Sequence, residues 1–217
     1  LNKKLKVFWH DHNGWRINFP PSKFPFLNYF SKRFSAIITV NEELKEWSRH
    51  NLRNPNIMVL DNFVNSNPAI HEARRPSQTT KLKMVCLANL RIEKNHLLLV
   101  DLMAALLPKF PNLSLHLLGS ISNQDYYEEI CFRIKEKGVE DTIVFYGTVD
   151  NATEMLPTFD IGLLSSNDEG LPLALLEYGA SGLPVVCTNV GACGEVIGEH
   201  GFVVPKRDLN SFIDKVE

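Results

Sequence analysis

Two glutamates are the first residues of this chain whose type and spacing suggest chemistry. Seven residues separate Glu169 from Glu177 in the stretch Glu169-Gly170-Leu171-Pro172-Leu173-Ala174-Leu175-Leu176-Glu177. Pro172, near the first turn of a helix, gives up an N–H that would be unbonded there anyway, and Gly170 lets a ligand approach the backbone closely. The remaining free N–H groups form an anion site suited to phosphate. Glu177 lies a rise of ~7.5 Å further along the helix axis than Pro172. Carboxylates on either side of a phosphate site accept hydrogen bonds from neighbouring hydroxyls, which suits a sugar at one end and a ribose at the other. The bland reading gives Glu169 to the helix dipole and Glu177 to solvent. The apolar setting of Glu177 argues against it, because a lone carboxylate among Ala174, Leu175, Leu176 and Tyr178 needs a partner.

Two further loops hold groups of the same kind. In Ala88-Asn89-Leu90-Arg91-Ile92-Glu93-Lys94-Asn95-His96, Arg91 and Lys94 stand between a strand and a helix start, where cations oppose the helix dipole unless they face an anion. An ordinary charged surface loop is the equal alternative. Trp9-His10-Asp11-His12-Asn13-Gly14 follows an early strand, and metal ligation by the triplet competes with a role for His10 alone. Neighbours on an extended segment point to opposite sides, which disfavours the metal.

The elements that position these loops follow from the hydrophobic pattern. From residue 82 onward, apolar runs at Leu82–Ala88, Leu113–Leu118, Thr142–Tyr146, Ile161–Leu164, Pro184–Thr188 and Phe202–Val204 read as six strands. Helices are expected at Asn95–Leu107, Tyr126–Lys137, Ala152–Leu156, Pro172–Ala180 and Cys193–Ile197, with Asp125 and Glu128 forming a capping pattern and Gly138 ending that helix. Continuous rather than alternating apolar runs suit strands buried on both faces, hence an α/β fold with a Rossmann-like doubly wound parallel sheet. In such sheets ligands bind at the carboxyl ends of the strands.

The first third reads differently: strands at Leu5–Trp9, Ala36–Val40 and Ile57–Leu60, a Pro- and Phe-rich stretch at Phe19–Phe30, and a helix at Glu42–Leu52 capped by Asn41. Residues 1–66 therefore read as the C-terminal part of a second Rossmann-like domain, 67–80 as a linker, 81–205 as the ligand-binding domain and 206–217 as the start of a truncated C-terminal helix. With 217 residues, 44% apolar and 22% charged, and a net charge of −2, the chain is globular and shows no basic stripe for nucleic acid; Lys3, Lys4 and Lys6 are the nearest thing to one. No apolar run approaches the ~20 residues of a membrane span. Cys86, Cys131, Cys187 and Cys193 show no metal or disulfide spacing and read as separate free thiols of a reducing compartment. A dinucleotide-binding module would need G-x-G-x-x-G after its first strand, and Ala88–Glu93 contains no glycine.

These residues resemble the retaining GT-B glycosyltransferases, specifically glycosyltransferase family 4 (group 1). The family's E-x7-E signature is similar to Glu169–Glu177 and its G-R-L-x-x-x-K segment to Ala88–Lys94. Further resemblance lies in Val144-Phe145-Tyr146-Gly147, Phe159-Asp160-Ile161, Gly182-Leu183-Pro184-Val185-Val186 and His200-Gly201-Phe202-Val203-Val204-Pro205. The resemblance implies that Glu177 holds the ribose hydroxyls, that Glu169 with Gly170 and Leu171 holds donor sugar and diphosphate, that Lys94 neutralises the diphosphate, and that the base rests near Gly147 and Thr148. Where the family has Arg, this chain has Asn89, so Arg91 swings in as second cation or Lys94 and backbone N–H groups take the load. His10 matches a histidine that faces the donor sugar, and with Glu169 forms the expected catalytic pair.

The resemblance further implies transfer of a hexose from a UDP- or GDP-sugar to a saccharide or lipid-linked acceptor in surface polysaccharide or lipopolysaccharide biosynthesis. A phosphate oxygen of the leaving diphosphate would act as base, with no cofactor and no metal. Half of one domain is missing by this reading, so the chain is expected to bind nucleotide and to be weak or inactive in transfer. It is expected in the cytoplasm, and a lipid-linked acceptor would bring the missing segments to the inner face of the membrane. A non-catalytic nucleotide-sugar-binding fragment and a GT-B nucleotide-sugar epimerase are the alternatives.

Overall fold

The computed structural model describes residues 5–64 and 81–217, so the linker expected at 67–80 and the lysines at 3 and 4 lie outside the described residues. The chain forms two compact units. One comprises residues up to Phe63 together with Asp168–Pro172; the other comprises Val64–Asn167 and Leu173–Glu217.

The first unit contains β1 (Phe8–Asp11), α1 (Pro25–Ser31), β2 (Ala36–Thr39), α2 (Glu42–Asn51) and β3 (Ile57–Val59), its three strands parallel in the order β1-β2-β3. The first strand lies later than the expected Leu5–Trp9, because Asp11 pairs in register with Thr39 and its carboxylate is buried against Arg16. A helix forms at Pro25–Ser31 where the sequence reads only as a Pro- and Phe-rich stretch; Pro25 sits at its first turn, where a missing N–H costs nothing. Asn41 caps α2 by accepting from Leu44 N at 2.8 Å.

The second unit holds β4 (Leu82–Leu87), β5 (Leu113–Leu118), β6 (Ile143–Gly147), β7 (Ile161–Leu164), β8 (Val185–Thr188) and β9 (Phe202–Val204). All pair in parallel, in the order β6-β5-β4-β7-β8-β9. The helices are α3 (His96–Leu106), α4 (Gln124–Lys137), α5 (Ala152–Met155), α6 (Leu173–Ala180), α7 (Cys193–Ile197) and α8 (Leu209–Val216). Cores cover both sheet faces, as continuous apolar strands require. Met84, Leu115 and Leu117 pack with Leu99, Ile130 and Phe212 of α3, α4 and α8, and Val85, Leu118 and Leu164 pack with Leu175 and Tyr178 of α6. The cap of α4 is Asn123, which accepts from Tyr126 N at 3.0 Å, rather than Asp125, which falls inside the first turn. Gly138 ends that helix in the left-handed conformation (φ +65°).

Candidate functional site

The strand order of the second unit reverses direction between β4 and β7, the point at which an open α/β sheet forms its binding crevice. Pairing there covers only Met84 with Ile161 and Val85 with Gly162, after which the strands part. Tyr178, fully buried on α6, fills the parting. Its hydroxyl accepts from Leu87 N at 2.6 Å and donates to Leu163 O at 3.2 Å, with Val85 O at 3.4 Å. Burial pushes its phenol well above the ordinary tyrosine range. Gly162 makes room for the ring, since a Cβ there would stand 2.8 Å from Tyr178 Cδ2.

Glu177 precedes Tyr178 on the same helix. Its carboxylate is half-buried and accepts no hydrogen bond among the described residues, and burial alone raises its pKa. A half-buried carboxylate without such partners has its acceptor capacity free for hydroxyls.

The loop after β4 continues the sheet's hydrogen bonding, with Ala88 N donating to Leu118 O and Leu90 N to Ser120 O, both at 2.9 Å. Asn89 is part of this stitching: its side-chain oxygen accepts from both N and Oγ of Ser120, at 2.9 Å each. It therefore pins two loops together, a role the sequence does not reveal. Gly119, at φ +155°, passes so close to Ala88 that a Cβ would stand 2.1 Å from the Ala88 carbonyl oxygen. Its N–H donates to Gly147 O at 2.9 Å, which brings the end of β6 into the cluster. Gly147 itself is left-handed (φ +68°) with open space above it, and Thr148 beside it is exposed.

Lys94 ends a short 3-10 turn at Ile92–Lys94, and its carbonyl accepts from Ser165 Oγ at 2.9 Å. Arg91 is exposed, with Nη1 3.8 Å from Glu93 Oε1. Asn167 N donates to Glu93 O at 2.7 Å, and Thr188 Oγ1 to Ser166 O at 2.6 Å. Arg207, a non-glycine residue at φ +63°, reaches Asn167 Oδ1 with Nε at 3.2 Å. The sequence reading missed Arg207 and Tyr178. A tyrosine in an apolar helix does signal a buried hydroxyl that needs partners, whereas nothing local announces the left-handed arginine. Behind the loop, His96 is wholly buried at the start of α3, and among the described residues neither ring nitrogen has a hydrogen-bond partner of normal geometry. Burial pushes its pKa down to about 4; the Ala88 backbone opposes the fall and the Lys94 charge adds to it. The thiols of Cys187 and Cys193 are not solitary: a side-chain hydrogen bond from Cys193 lowers the Cys187 pKa against the effect of burial.

Of the residues singled out in the sequence, the second unit thus places Asn89, Arg91, Lys94, Gly147, Thr148 and Glu177 in loops and a helix at the carboxyl side of its sheet. Glu169, Gly170 and Leu171 belong to the first unit, as does His10. Within that unit, the space next to Gly170 is taken by the chain itself rather than left for a ligand: a Cβ would meet His12 O at 3.0 Å and Val40 Cγ2 at 3.3 Å. At Gly14 a Cβ would stand 2.2 Å from Glu169 O. Asn41 Nδ2 donates to Gly170 O at 3.3 Å and Asn62 Nδ2 to Leu171 O at 2.7 Å. The His-Asp-His triplet does not converge. Asp11 turns inward, where it accepts from Arg16 Nε at 2.9 Å and Asn13 N at 3.1 Å, while the exposed rings of His10 and His12 meet with nitrogens 3.2 Å apart. Burial, then the neighbouring His10, lowers the pKa of His12, with Asp11 opposing.

This arrangement has known relatives. The model of the glycosyl transferases group 1 family matches residues 69–217. The chain belongs to this family. A lipopolysaccharide core biosynthesis mannosyltransferase of Rhizobium meliloti, LpsB, is 31% identical over 135 residues, covering 59% of this chain and 38% of that protein. The O-antigen biosynthesis glycosyltransferase WbnH of Escherichia coli is 25% identical over 181 residues, covering 82% of this chain and 49% of that protein. The group 1 chain therefore spans less than half the length of either curated relative. Among solved structures, Anabaena Alr3699/HepE in complex with UDP and glucose superposes with a TM-score of 0.80 at 19% identity, over 96% of this chain and 60% of that one. TarM of S. aureus gives a TM-score of 0.80 at 19% identity, over 99% of this chain and 43% of that one. At that identity the likeness carries the fold: α/β with parallel sheets, of the GT-B type.

Proposed function

We propose that the crevice of the second unit is the nucleotide site of a retaining family 4 glycosyltransferase, which transfers a hexose from a UDP- or GDP-sugar to a saccharide or lipid-linked acceptor in surface polysaccharide assembly. The observation that carries this reading is Glu177, half-buried beside the tyrosine that bridges the switch point, with no partner for its carboxylate among the described residues. The ribose hydroxyls supply the missing donors. Lys94, with Arg91 or Arg207 as second cation, neutralises the diphosphate, and the open space over Gly147 receives the base. Fixed cations preorganised around the leaving diphosphate do the work that a divalent ion does elsewhere. The sugar-side roles implied for Glu169, Gly170, Leu171 and His10 belong to the same reading. HepE, crystallised with UDP and glucose, supports it by its fold.

Thermal unfolding with UDP, GDP, ADP, CMP and NAD in turn tests the proposal. A ligand at ~100 times its dissociation constant that binds only the folded state adds ~2.7 kcal/mol and shifts the midpoint visibly. The expected result is a shift with one nucleoside diphosphate, unaffected by added chelator and lost in Glu177→Ala. Binding of NAD alone, or a Glu177→Ala variant that binds as the parent does, overturns it.

A further inference from the structure

Two of the four free thiols touch one another. Cys187 lies near the end of β8 and Cys193 begins α7, and both are fully buried in the cluster that joins these elements to α6. A side-chain hydrogen bond joins the two sulfurs. The segment between them is a turn: Cys193 N donates to Val190 O at 3.1 Å, and Gly191 is left-handed at φ +50°. Bringing sulfurs already in hydrogen-bond contact to the ~2.05 Å of a disulfide therefore moves only that turn and a helix of five residues. The pair is closed to bulk water but lies beside a way in. An apolar cavity of about 560 Å³ is lined by Val185, two residues before Cys187 on the same face of β8, and by Ile197, one helical turn beyond Cys193. The contact also sets the order of reaction, since the hydrogen bond from Cys193 lowers the Cys187 pKa and the thiolate is the nucleophile.

We propose that Cys187 and Cys193 form a redox site that a hydroperoxide converts reversibly to a disulfide. The Cys187 thiolate attacks one oxygen of hydrogen peroxide and the O–O bond breaks. The departing hydroxide takes up the proton that Cys187 gave up and leaves as water, with a sulfenic acid on Cys187. The Cys193 sulfur then attacks the Cys187 sulfur, the S–O bond breaks, and a second water leaves with the Cys193 proton. The two thiols lose two electrons, and one peroxide is reduced to two waters. Thr188, next to Cys187, donates Oγ1 to Ser166 O at 2.6 Å, so the tie forms beside a crevice loop. It uses no residue of the proposed nucleotide site, and the two proposals stand or fall separately.

The test is stoichiometric hydrogen peroxide added to the reduced full chain, followed by a free-thiol count under denaturing conditions and by peptide mapping. Cys131, the one thiol that is not fully buried, is replaced by Ser in every sample, which leaves three. Three thiols are expected to fall to one, with Cys187 linked to Cys193, and dithiothreitol should restore all three. In Cys193→Ala the sulfenic acid should persist on Cys187 and be captured by dimedone, whereas Cys187→Ala should keep both of its thiols. The peptide map of the Cys131→Ser chain identifies the pairing directly, so the outcome does not depend on how well either alanine variant folds. Three thiols that survive the peroxide, a disulfide to Cys86, or a Cys187→Ala variant oxidised as readily as its parent would each overturn the proposal.

Discussion

The two units of this chain hold themselves together by different means. In the second, both faces of a six-stranded sheet are sealed by leucine-, isoleucine- and valine-rich helices, and the buried hydroxyl of Tyr178 closes the gap between β4 and β7. In the first, few large apolar side chains are buried, chiefly Ile37, Val40 and Leu44, and the chain is pinned by polar groups. Asp11 holds Arg16, Trp47 Nε1 donates to Phe19 O at 3.1 Å, and Asn54 Nδ2 donates to the carbonyls of Ser31 and Phe34 at 2.9 and 2.7 Å. Apolar burial is tolerant because it sums over many contacts. A polar pin is not, because removing one partner leaves the other buried and unpaired.

The largest expected effects probe that contrast directly. Asp11→Ala leaves Arg16, 5% exposed, as an uncompensated charge, and should cost the first unit about 3–5 kcal/mol. Leu115→Ala, in the middle of β5 and fully buried, should cost the second unit about 3 kcal/mol through lost transfer energy and a cavity. The two can be followed independently, since Trp9, Trp15 and Trp47 are the chain's three tryptophans and all lie in the first unit. Urea titrations read by tryptophan fluorescence should move for Asp11→Ala, and those read by far-UV ellipticity for Leu115→Ala. Equal movement of both probes in both variants would show that the units unfold as one.

The same contrast decides what could be read from the sequence. The strands of the second unit are legible because a strand covered on both faces writes a continuous apolar run; Leu113–Leu118 and Ile161–Leu164 occur where that run places them. In the first unit the run fails. β1 carries His10 and Asp11 inside the strand, and the ion pair with Arg16 five residues away, with the Asn13 N–H, makes a buried Asp11 tolerable. The prolines before α1 read as breakers, although Pro25 begins a helix. At the site, Glu177 and Lys94 are visible as charges in the wrong company. The parting of β4 from β7, the hydroxyl of Tyr178 that bridges it, the pinning of Asn89 and the reach of Arg207 arise only when distant segments meet.

Two polar groups inside the second unit sharpen the comparison at intermediate size. His96 should make that unit acid-sensitive. Its folded pKa of about 4 lies below the unfolded value of 6.5, so its contribution is complete above pH 6.5 and is lost as pH falls toward 4. The loss is of order 3 kcal/mol over that window. Ellipticity-monitored stability of His96→Leu should be flatter between pH 6.5 and 4 than that of the parent, and an identical slope would remove His96 from the account. Tyr178→Phe should cost about 1–3 kcal/mol by leaving Leu87 N–H without its acceptor. Because the hydroxyl positions the helix that carries Glu177, the variant should also bind nucleoside diphosphate more weakly. Stability lost with affinity intact would make the tyrosine structural only.

The smallest effects come from two exposures that look alike. Phe26 in the first unit and Phe132 in the second are 78% and 71% exposed, so replacing either by Ser should change stability by less than about 0.5 kcal/mol. Single exposed aromatics are ordinary, and Phe132 shares its helix with Glu128, Glu129, Arg133 and Glu136, charges of both signs that keep that surface in water. Phe26 shares one stripe of α1 with Tyr29 and Phe30, three and four residues on, and Lys32 lies over the Tyr29 ring. Equal cost in such different company is expected because a ring already in water has little transfer energy left to lose. A larger loss for Phe26→Ser in urea titrations would mean that the aromatic stripe holds the first unit together as its polar pins do.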